Sequence, residues 1–175
     1  MQNVHLIQAD MADNVSLVAA AAKTNLITGG SVDYLIVNGA YVNLEETFLS
    51  PSEVVGKEDL LTSSMTESLK VNVLGAVFSI NAFLPLVRKS SIKKVTVISS
   101  WFADRDWAEK SSISFNMTYS TMKAALNIVI TKFAAEFKSE GIIFLALSPG
   151  MVDTTQDKPQ GQSKWPGNWG LESEN

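Results

Sequence analysis

Short, continuously apolar runs alternate with longer helical stretches, and this alternation restricts the fold more than any other feature of the sequence. The apolar runs are VHLIQAD, DYLIVN, KKVTVIS and IIFLALS. They lack the in–out alternation of a half-exposed strand, so they predict strands buried on both faces. The stretches between them have apolar residues three and four positions apart, which is typical of helices. We therefore predict an α/β fold with a parallel sheet and right-handed crossovers.

The same periodicity places the individual elements. Helices are expected from about Asp13 to Lys23, over MTESLKVNVLGAVFSINAFLPLVRKS and over TYSTMKAALNIVITKFAAEFKSEG. A short helix is expected near Ser52 to Gly56, whereas WFADRDWAEKSSISFN is interpreted as a loop. Residues 1–155 are predicted to form a single domain, and residues 156–175, rich in Pro, Gly and polar residues, an irregular tail.

Composition excludes several classes of function. A net charge of −4 without a Lys/Arg block argues against a nucleic-acid partner. The absence of cysteine excludes disulfides and thiolate metal sites, and the lone His5 excludes a His-rich metal site. No signal peptide is recognised, and the most apolar helix, Val71 to Val87, is short for a membrane span. We expect a cytoplasmic protein with no metal, nucleic-acid or membrane partner.

Polar and small residues follow the predicted strands where each strand ends. In parallel α/β sheets, ligands bind at the carboxyl ends of the strands, so these residues mark a candidate site. They are Asp10, the run Asn38, Gly39 and Ala40, the pair Ser99 and Ser100, and the pair Pro149 and Gly150.

The stretch YSTMK puts a phenol, Tyr119, and an ammonium, Lys123, four residues apart on a predicted helix. Residues at this spacing share a helix face. A nearby cation favours the phenolate, so we expect Lys123 to lower the pKa of Tyr119 and make it a general acid–base. The hydroxyl of Ser100 would hydrogen-bond the same substrate oxygen.

Taken in order, the motifs ADMAD, IVNGA, KVNVLG, VTVISS, YSTMK and LSPGMVDT resemble those of the short-chain dehydrogenase/reductase family, in particular its fungal members. The resemblance runs from Val4 to about Thr155. It implies a Rossmann-like, doubly wound parallel sheet and an NAD(P)-dependent oxidoreductase acting on a carbonyl or secondary alcohol.

The resemblance also implies roles for single residues. Tyr119 would be the acid–base, Lys123 would contact the nicotinamide ribose, Ser100 would polarise the substrate oxygen, and Asn72 would hold a water in a proton relay. Asp10 would face the adenine. The remaining cofactor contacts would be Asn38, Gly39, Ala40, Pro149, Gly150, Val152 and Thr154. Homodimerisation through helices near residues 65–87 and 119–139 is likewise implied.

The sequence also differs from the family pattern at several points. Val37 stands where the family usually has a first Asn, with the Ala-Gly order reversed, and the segment between Ser100 and Tyr119 is longer than usual. The Gly-rich turn that cradles the pyrophosphate is not found, since ITGGS lacks the Gly-x-x-x-Gly-x-Gly spacing and follows a helix. We therefore expect a partial Rossmann-like domain, truncated at its N-terminus.

Alternatives stay open from the sequence. The Tyr–Lys pair could serve a dehydratase or isomerase that needs only proton transfer, or the chain could be a catalytically inactive homologue. The tryptophans, which include Trp101 and Trp107, either form an aromatic wall over a flat or polycyclic substrate or simply cover the core.

Overall fold

The structure is a computed structural model that describes residues 3–150. The described elements alternate between helix and strand, as the sequence predicts. The helices are α1 (Asn14–Thr28), α2 (Glu58–Ser68), α3 (Gly75–Arg88), α4 (Arg105–Ser111) and α5 (Met117–Glu136), and the strands are β1 (Tyr34–Val37), β2 (Lys94–Ile98) and β3 (Ile143–Leu147). Leu69–Leu74 is a π-helical turn between α2 and α3, and Trp101–Ala103 and Lys138–Glu140 are 3₁₀ turns.

The strands form a parallel sheet in the order β1-β2-β3. Lys94 on the central strand β2 is opposite Tyr34 of β1 and Ile143 of β3. This arrangement confirms the predicted α/β fold with a partial Rossmann-like parallel sheet. The carboxyl ends of the strands lie at one edge of the sheet, the edge at which the candidate site was predicted.

Helices α3 and α5 cover one face of the sheet and build the core. Ile80 and Val87 of α3, Val95 and Val97 of β2, and Leu126 of α5 belong to one buried cluster. With Ala76 and Leu84 of the same cluster, the α3 positions are spaced by three or four residues, and the β2 positions are spaced by two, so each element contributes one face. On the opposite sheet face, large apolar side chains such as Ile36 and Leu145 are exposed among the described residues.

Helix α1 extends further than predicted. Its N-terminus is capped by the Asp13 carboxylate, which accepts a hydrogen bond from the Val15 N–H, and its C-terminus by Gly29 in the left-handed conformation (φ 70°). The pair of glycines, rather than Lys23, therefore ends the helix.

The predicted strand at Val4–Ala9 is wrong. These residues form no strand, and Leu6 is 96% exposed. A strand exists only through hydrogen bonds to a neighbouring strand, and the described sheet offers this segment none. The segment instead ends in a turn in which the Asp10 carboxylate accepts a hydrogen bond from the Ala12 N–H.

Two local predictions also fail. Residues 52–56 form turns instead of the expected helix. Gly56 has a positive φ (80°), and the next helix, α2, begins only at Glu58. The expected loop after Ser100 contains a 3₁₀ turn and α4. Asp104 caps α4 by accepting a hydrogen bond from the Trp107 N–H, a signal that sequence reasoning overlooked.

The run from Glu58 to Arg88 is helical throughout its 31 residues and, by length and hydropathy, would suffice to cross a membrane. Half of its most apolar window is buried within the fold (50%). Ile80 and Val87 are fully buried against the sheet. We therefore interpret the run as the central core helix of the α/β layer, and it is the one such helix among residues 3–150.

Candidate active site

Lys123 is the most buried charged side chain at the candidate site, with 3% of its surface exposed. Its ammonium donates a hydrogen bond of 2.6 Å to the carbonyl of Ile98, the last residue of β2. The Lys123 Nζ also lies 5.5 Å from the centre of the Tyr119 ring. The four-residue spacing on α5 therefore does bring the phenol and the ammonium together, at the carboxyl end of the central strand.

The pKa values of this pair differ from the sequence expectation. Burial raises the pKa of the Tyr119 phenol, and a hydrogen bond with the Ser100 side chain opposes this rise only in part. Burial also lowers the pKa of the Lys123 ammonium to about 8. The expectation that the pKa of Tyr119 is lowered is wrong for this structure, because loss of solvation outweighs the opposing effect of Ser100.

The two serines after β2 have different partners. Ser99 is buried, and its hydroxyl donates a hydrogen bond of 2.6 Å to the Asn127 side chain. Ser100 lies close enough to Tyr119 to lower the pKa of the phenol, and its hydroxyl accepts a hydrogen bond from the Phe102 N–H. The structure therefore brings Ser100, rather than Ser99, to the phenol.

Asn72 lies in the π-helical turn and is 2% exposed. Its Oδ1 accepts a hydrogen bond of 2.6 Å from the Tyr41 N–H, and its Nδ2 donates one of 2.9 Å to the Tyr41 carbonyl. Both peptide groups of Tyr41 are thus satisfied by one side chain. Asn72 holds the segment after β1 against the helix; its predicted water-holding role stays a prediction. π-Helical turns are frequent at functional sites.

Met11 lies across the end of β1. A Cβ on Gly39 would come within 2.1 Å of the Met11 sulfur, and one on Gly75 within 2.9 Å of the Met11 carbonyl oxygen. Both glycines therefore permit a close approach that larger residues would block. This packing brings Asp10, the predicted adenine contact, to the same edge of the sheet as Asn38.

The other predicted cofactor contacts are solvent-exposed at the strand ends. They are Asn38, Gly39 and Ala40 after β1, and Pro149 and Gly150 after β3. The predicted contacts Val152 and Thr154 lie outside the described residues.

Sequence reasoning missed three residues that build this site: Tyr41, Asn127 and Met11. A signal for Asn127 was available, because Tyr119, Lys123 and Asn127 follow at four-residue intervals and so share one face of α5. No local pattern identifies Tyr41 or Met11, whose contacts join segments distant in the chain.

A cleft of about 660 Å³ opens beside Ser100. Its lining includes Ser99, Ser100, Trp101, Trp107 and Asn127. The volume falls within the range of small-molecule sites. Among residues 3–150, no group of three or more His, Asp or Glu side chains is arranged to hold a metal ion.

Comparison with known families gives one match that extends over most of the chain. The family described as short chain dehydrogenase matches residues 1–165. The short-chain dehydrogenase/reductase atnB of Arthrinium sp. is 43% identical over 153 residues, 87% of this chain and 58% of that protein. The short chain dehydrogenase virK of Hypocrea virens is 37% identical over 152 residues, 87% of this chain and 56% of that protein. The chain thus spans little more than half the length of these relatives.

Solved structures share the fold. An NADPH-bound carbonyl reductase from chicken fatty liver has a TM-score of 0.70 at 22% identity, over 85% of this chain and 58% of that chain. An alcohol dehydrogenase from the archaeon Thermococcus sibiricus, complexed with 5-hydroxy-NADP, has a TM-score of 0.61 at 24% identity, over 84% of this chain and 54% of that chain. At these identities the likeness shows the fold.

Proposed function

The chain belongs to the short-chain dehydrogenase family, and from this premise we propose that it is an NAD(P)-dependent oxidoreductase acting on a carbonyl or secondary alcohol. The observation that supports the proposal best is the meeting of three groups at the carboxyl end of β2. The Ser100 side chain lies close enough to the Tyr119 phenol to lower its pKa, and the Lys123 ammonium lies beside the Tyr119 ring. They come from two elements and are brought together only by the fold.

Tyr119 is the proposed general acid in the direction of carbonyl reduction. Because burial raises its pKa, the phenol is protonated near neutral pH and has a proton to donate to a substrate oxygen. Ser100 hydrogen-bonds the same oxygen and orients it. In alcohol oxidation the phenolate form of Tyr119 accepts the proton, and this form becomes more abundant as the pH rises towards the pKa of Tyr119.

Lys123 is proposed to stabilise the phenolate that remains after proton donation. Its pKa of about 8 keeps most of the side chain protonated at neutral pH. The rigid hydrogen bond to the Ile98 carbonyl holds the ammonium in place without further reorganisation. Asn72 contributes by fixing the Tyr41 segment at this edge of the sheet.

The residues present fit the nicotinamide end of a dinucleotide. Within residues 3–150, the Lys123 ammonium donates one hydrogen bond although it has three donors, so buried N–H groups remain for ribose hydroxyls. Exposed Asn38 and Gly39 lie at the end of the adjacent strand, and the solved relatives named above bind NADPH or 5-hydroxy-NADP. When bound, NAD(P) would supply or accept the hydride.

Homodimerisation through the helices near residues 65–87 and 119–139 is part of the proposal, as is a cytoplasmic location. Exposed apolar residues on these helices support the dimer. Leu69 is 43% exposed, Leu74 is 41% exposed and Ile128 is 62% exposed. Burial of such side chains between two copies would be favourable.

The test is reduction of a panel of small ketones and aldehydes by the 175-residue chain, followed through oxidation of NADPH or NADH. Tyr119→Phe should lower kcat/KM by about 10²–10⁴-fold, the usual contribution of a general acid. Tyr34→Phe, which changes an exposed tyrosine on β1, is the matched control and should have no effect. Unchanged activity of Tyr119→Phe, or no cofactor binding at millimolar concentration, would contradict the proposal. Turnover that needs Tyr119 but no cofactor would instead indicate dehydration or isomerisation.

A further inference from the structure

We propose that the cleft beside Ser100 selects planar aromatic carbonyl compounds by stacking them on the indole rings of Trp101 and Trp107. The inference concerns binding specificity. For the reaction itself it rests on the proposed function.

Trp101 and Trp107 lie face to face within the cleft lining, so each indole has one outer face left for a ligand. Their ring centres are 4.9 Å apart, and their planes meet at only 20°, so the two indoles are stacked. Both side chains are half-buried, and neither belongs to the buried core cluster. A purely structural role as core cover would bury them more completely.

The local backbone holds this indole pair in place. The Asp104 N–H donates a hydrogen bond of 2.8 Å to the Trp101 carbonyl, and the Asp104 carboxylate accepts one of 2.8 Å from the Trp107 N–H. One residue therefore links the 3₁₀ turn to the start of α4. Aromatic rings that are ordered before binding lose little conformational entropy when a ligand stacks on them.

The indole pair shares its cleft with one of the proposed reacting groups. Ser100 lines the same cleft as the two indoles. Phe102 packs edge-on against Trp107, with ring centres 5.1 Å apart, and edge-on against Tyr119, with ring centres 6.4 Å apart. A ketone whose ring lies on an outer indole face would thus have its oxygen on the side of Ser100, and Phe102 separates the indole pair from Tyr119.

The geometry favours flat over puckered rings. A planar aromatic ring can contact an indole face along its whole surface, whereas a saturated ring of equal carbon number holds hydrogens out of its plane. Aromatic pairs gain roughly 0.5–1.5 kcal/mol beyond area burial, which corresponds to about two- to tenfold in affinity. The cleft volume of about 660 Å³ leaves room for fused rings.

The test compares 1-tetralone and 1-decalone, bicyclic ketones that differ in the aromaticity of one ring. Binding to the full 175-residue chain is measured by ligand-observed NMR titration without cofactor. We expect 1-tetralone to bind at least threefold more tightly. Trp101→Leu and Trp107→Leu should each reduce that preference towards one, and Trp107→Phe should retain most of it. Tyr34→Leu, which removes an exposed aromatic ring on β1, is the control and should retain all of it.

Equal affinity for the two ketones, no measurable binding of either, or a preference that survives in both leucine variants would overturn the inference. Circular dichroism checks that each variant is folded, and Trp107→Phe tests the role of the ring if the leucine variants unfold. If only the proposed function is wrong, 1-tetralone will bind with the expected preference but will not be reduced. Conversely, reduction of both ketones with equal KM would support the proposed oxidoreductase activity and overturn the proposed specificity.

Discussion

The ammonium of Lys123 lies 5.5 Å from the centre of the Tyr119 ring while it donates a hydrogen bond to the carbonyl of Ile98, the last residue of β2. One side chain therefore links the face of α5 that carries Tyr119 to the end of the central strand. The cost of this link is the burial of a cation, with 3% of the residue exposed.

This burial predicts how stability depends on pH. The folded-state pKa of Lys123 is lowered to about 8 from its ordinary value of 10.5. Between these values the unfolded chain binds more protons than the folded chain, so the free energy of unfolding rises with pH. Below about pH 8 both states are protonated and the full cost of the buried charge applies.

Urea unfolding between pH 7 and 9.5 measures the effect, and Lys123→Met should remove this rise. The upper limit stays below the pKa of Tyr119, whose raised value would lower stability at higher pH. Lys132→Met, which changes an exposed lysine on α5, should leave the rise in place. A wild-type profile that matches that of Lys123→Met would show that Lys123 is not the group responsible.

Ser100→Ala should raise the pKa of Tyr119 further, because the hydrogen bond from Ser100 is what opposes the effect of burial. The measurement is a pH titration of tyrosine ring signals by NMR. Ser99→Ala is the matched control, since its hydroxyl contacts Asn127 instead. A Tyr119 pKa that does not move in Ser100→Ala would exclude the hydrogen bond.

Asn72→Ala should destabilise the fold by about 2–4 kcal/mol, because it leaves the N–H and carbonyl of Tyr41 without their side-chain partner in a part-buried position. Chemical denaturation gives the change. Asn81→Ala, an exposed asparagine on α3, should cost less than about 1 kcal/mol. Equal losses for the two variants would mean that the Tyr41 contacts contribute little.

The two glycines under Met11 should respond differently to added methyl groups. Gly75→Ala places its Cβ 2.9 Å from a backbone oxygen, whereas Gly39→Ala meets the flexible end of the Met11 side chain. We expect a loss of about 1–3 kcal/mol for Gly75→Ala. Met11→Ala in the same chain should relieve Gly39→Ala but not Gly75→Ala, and thermal unfolding of the single and double variants checks this. Relief of both glycine variants by Met11→Ala would contradict the close backbone approach.

Several features could be predicted from the sequence because their causes are local. The strands at Tyr34–Val37, Lys94–Ile98 and Ile143–Leu147 follow from continuous apolar runs, and the pairing of Tyr119 with Lys123 follows from helical spacing. The ends of these apolar runs also locate the polar residues that follow the strands. The same rules gave the wrong result at Val4–Ala9, because an apolar run becomes a strand only where a neighbour is available.

The family and the positions of the candidate catalytic residues were thus determined by the order of motifs along the chain. The tertiary structure decided what those residues do to one another. It directs Ser100 rather than Ser99 to the phenol, uses Asn72 to hold Tyr41, and raises rather than lowers the pKa of Tyr119. The physical reason is that burial and hydrogen-bond partners depend on segments far apart in sequence. Desolvation therefore raises the pKa of Tyr119 where helical spacing alone suggests that Lys123 lowers it.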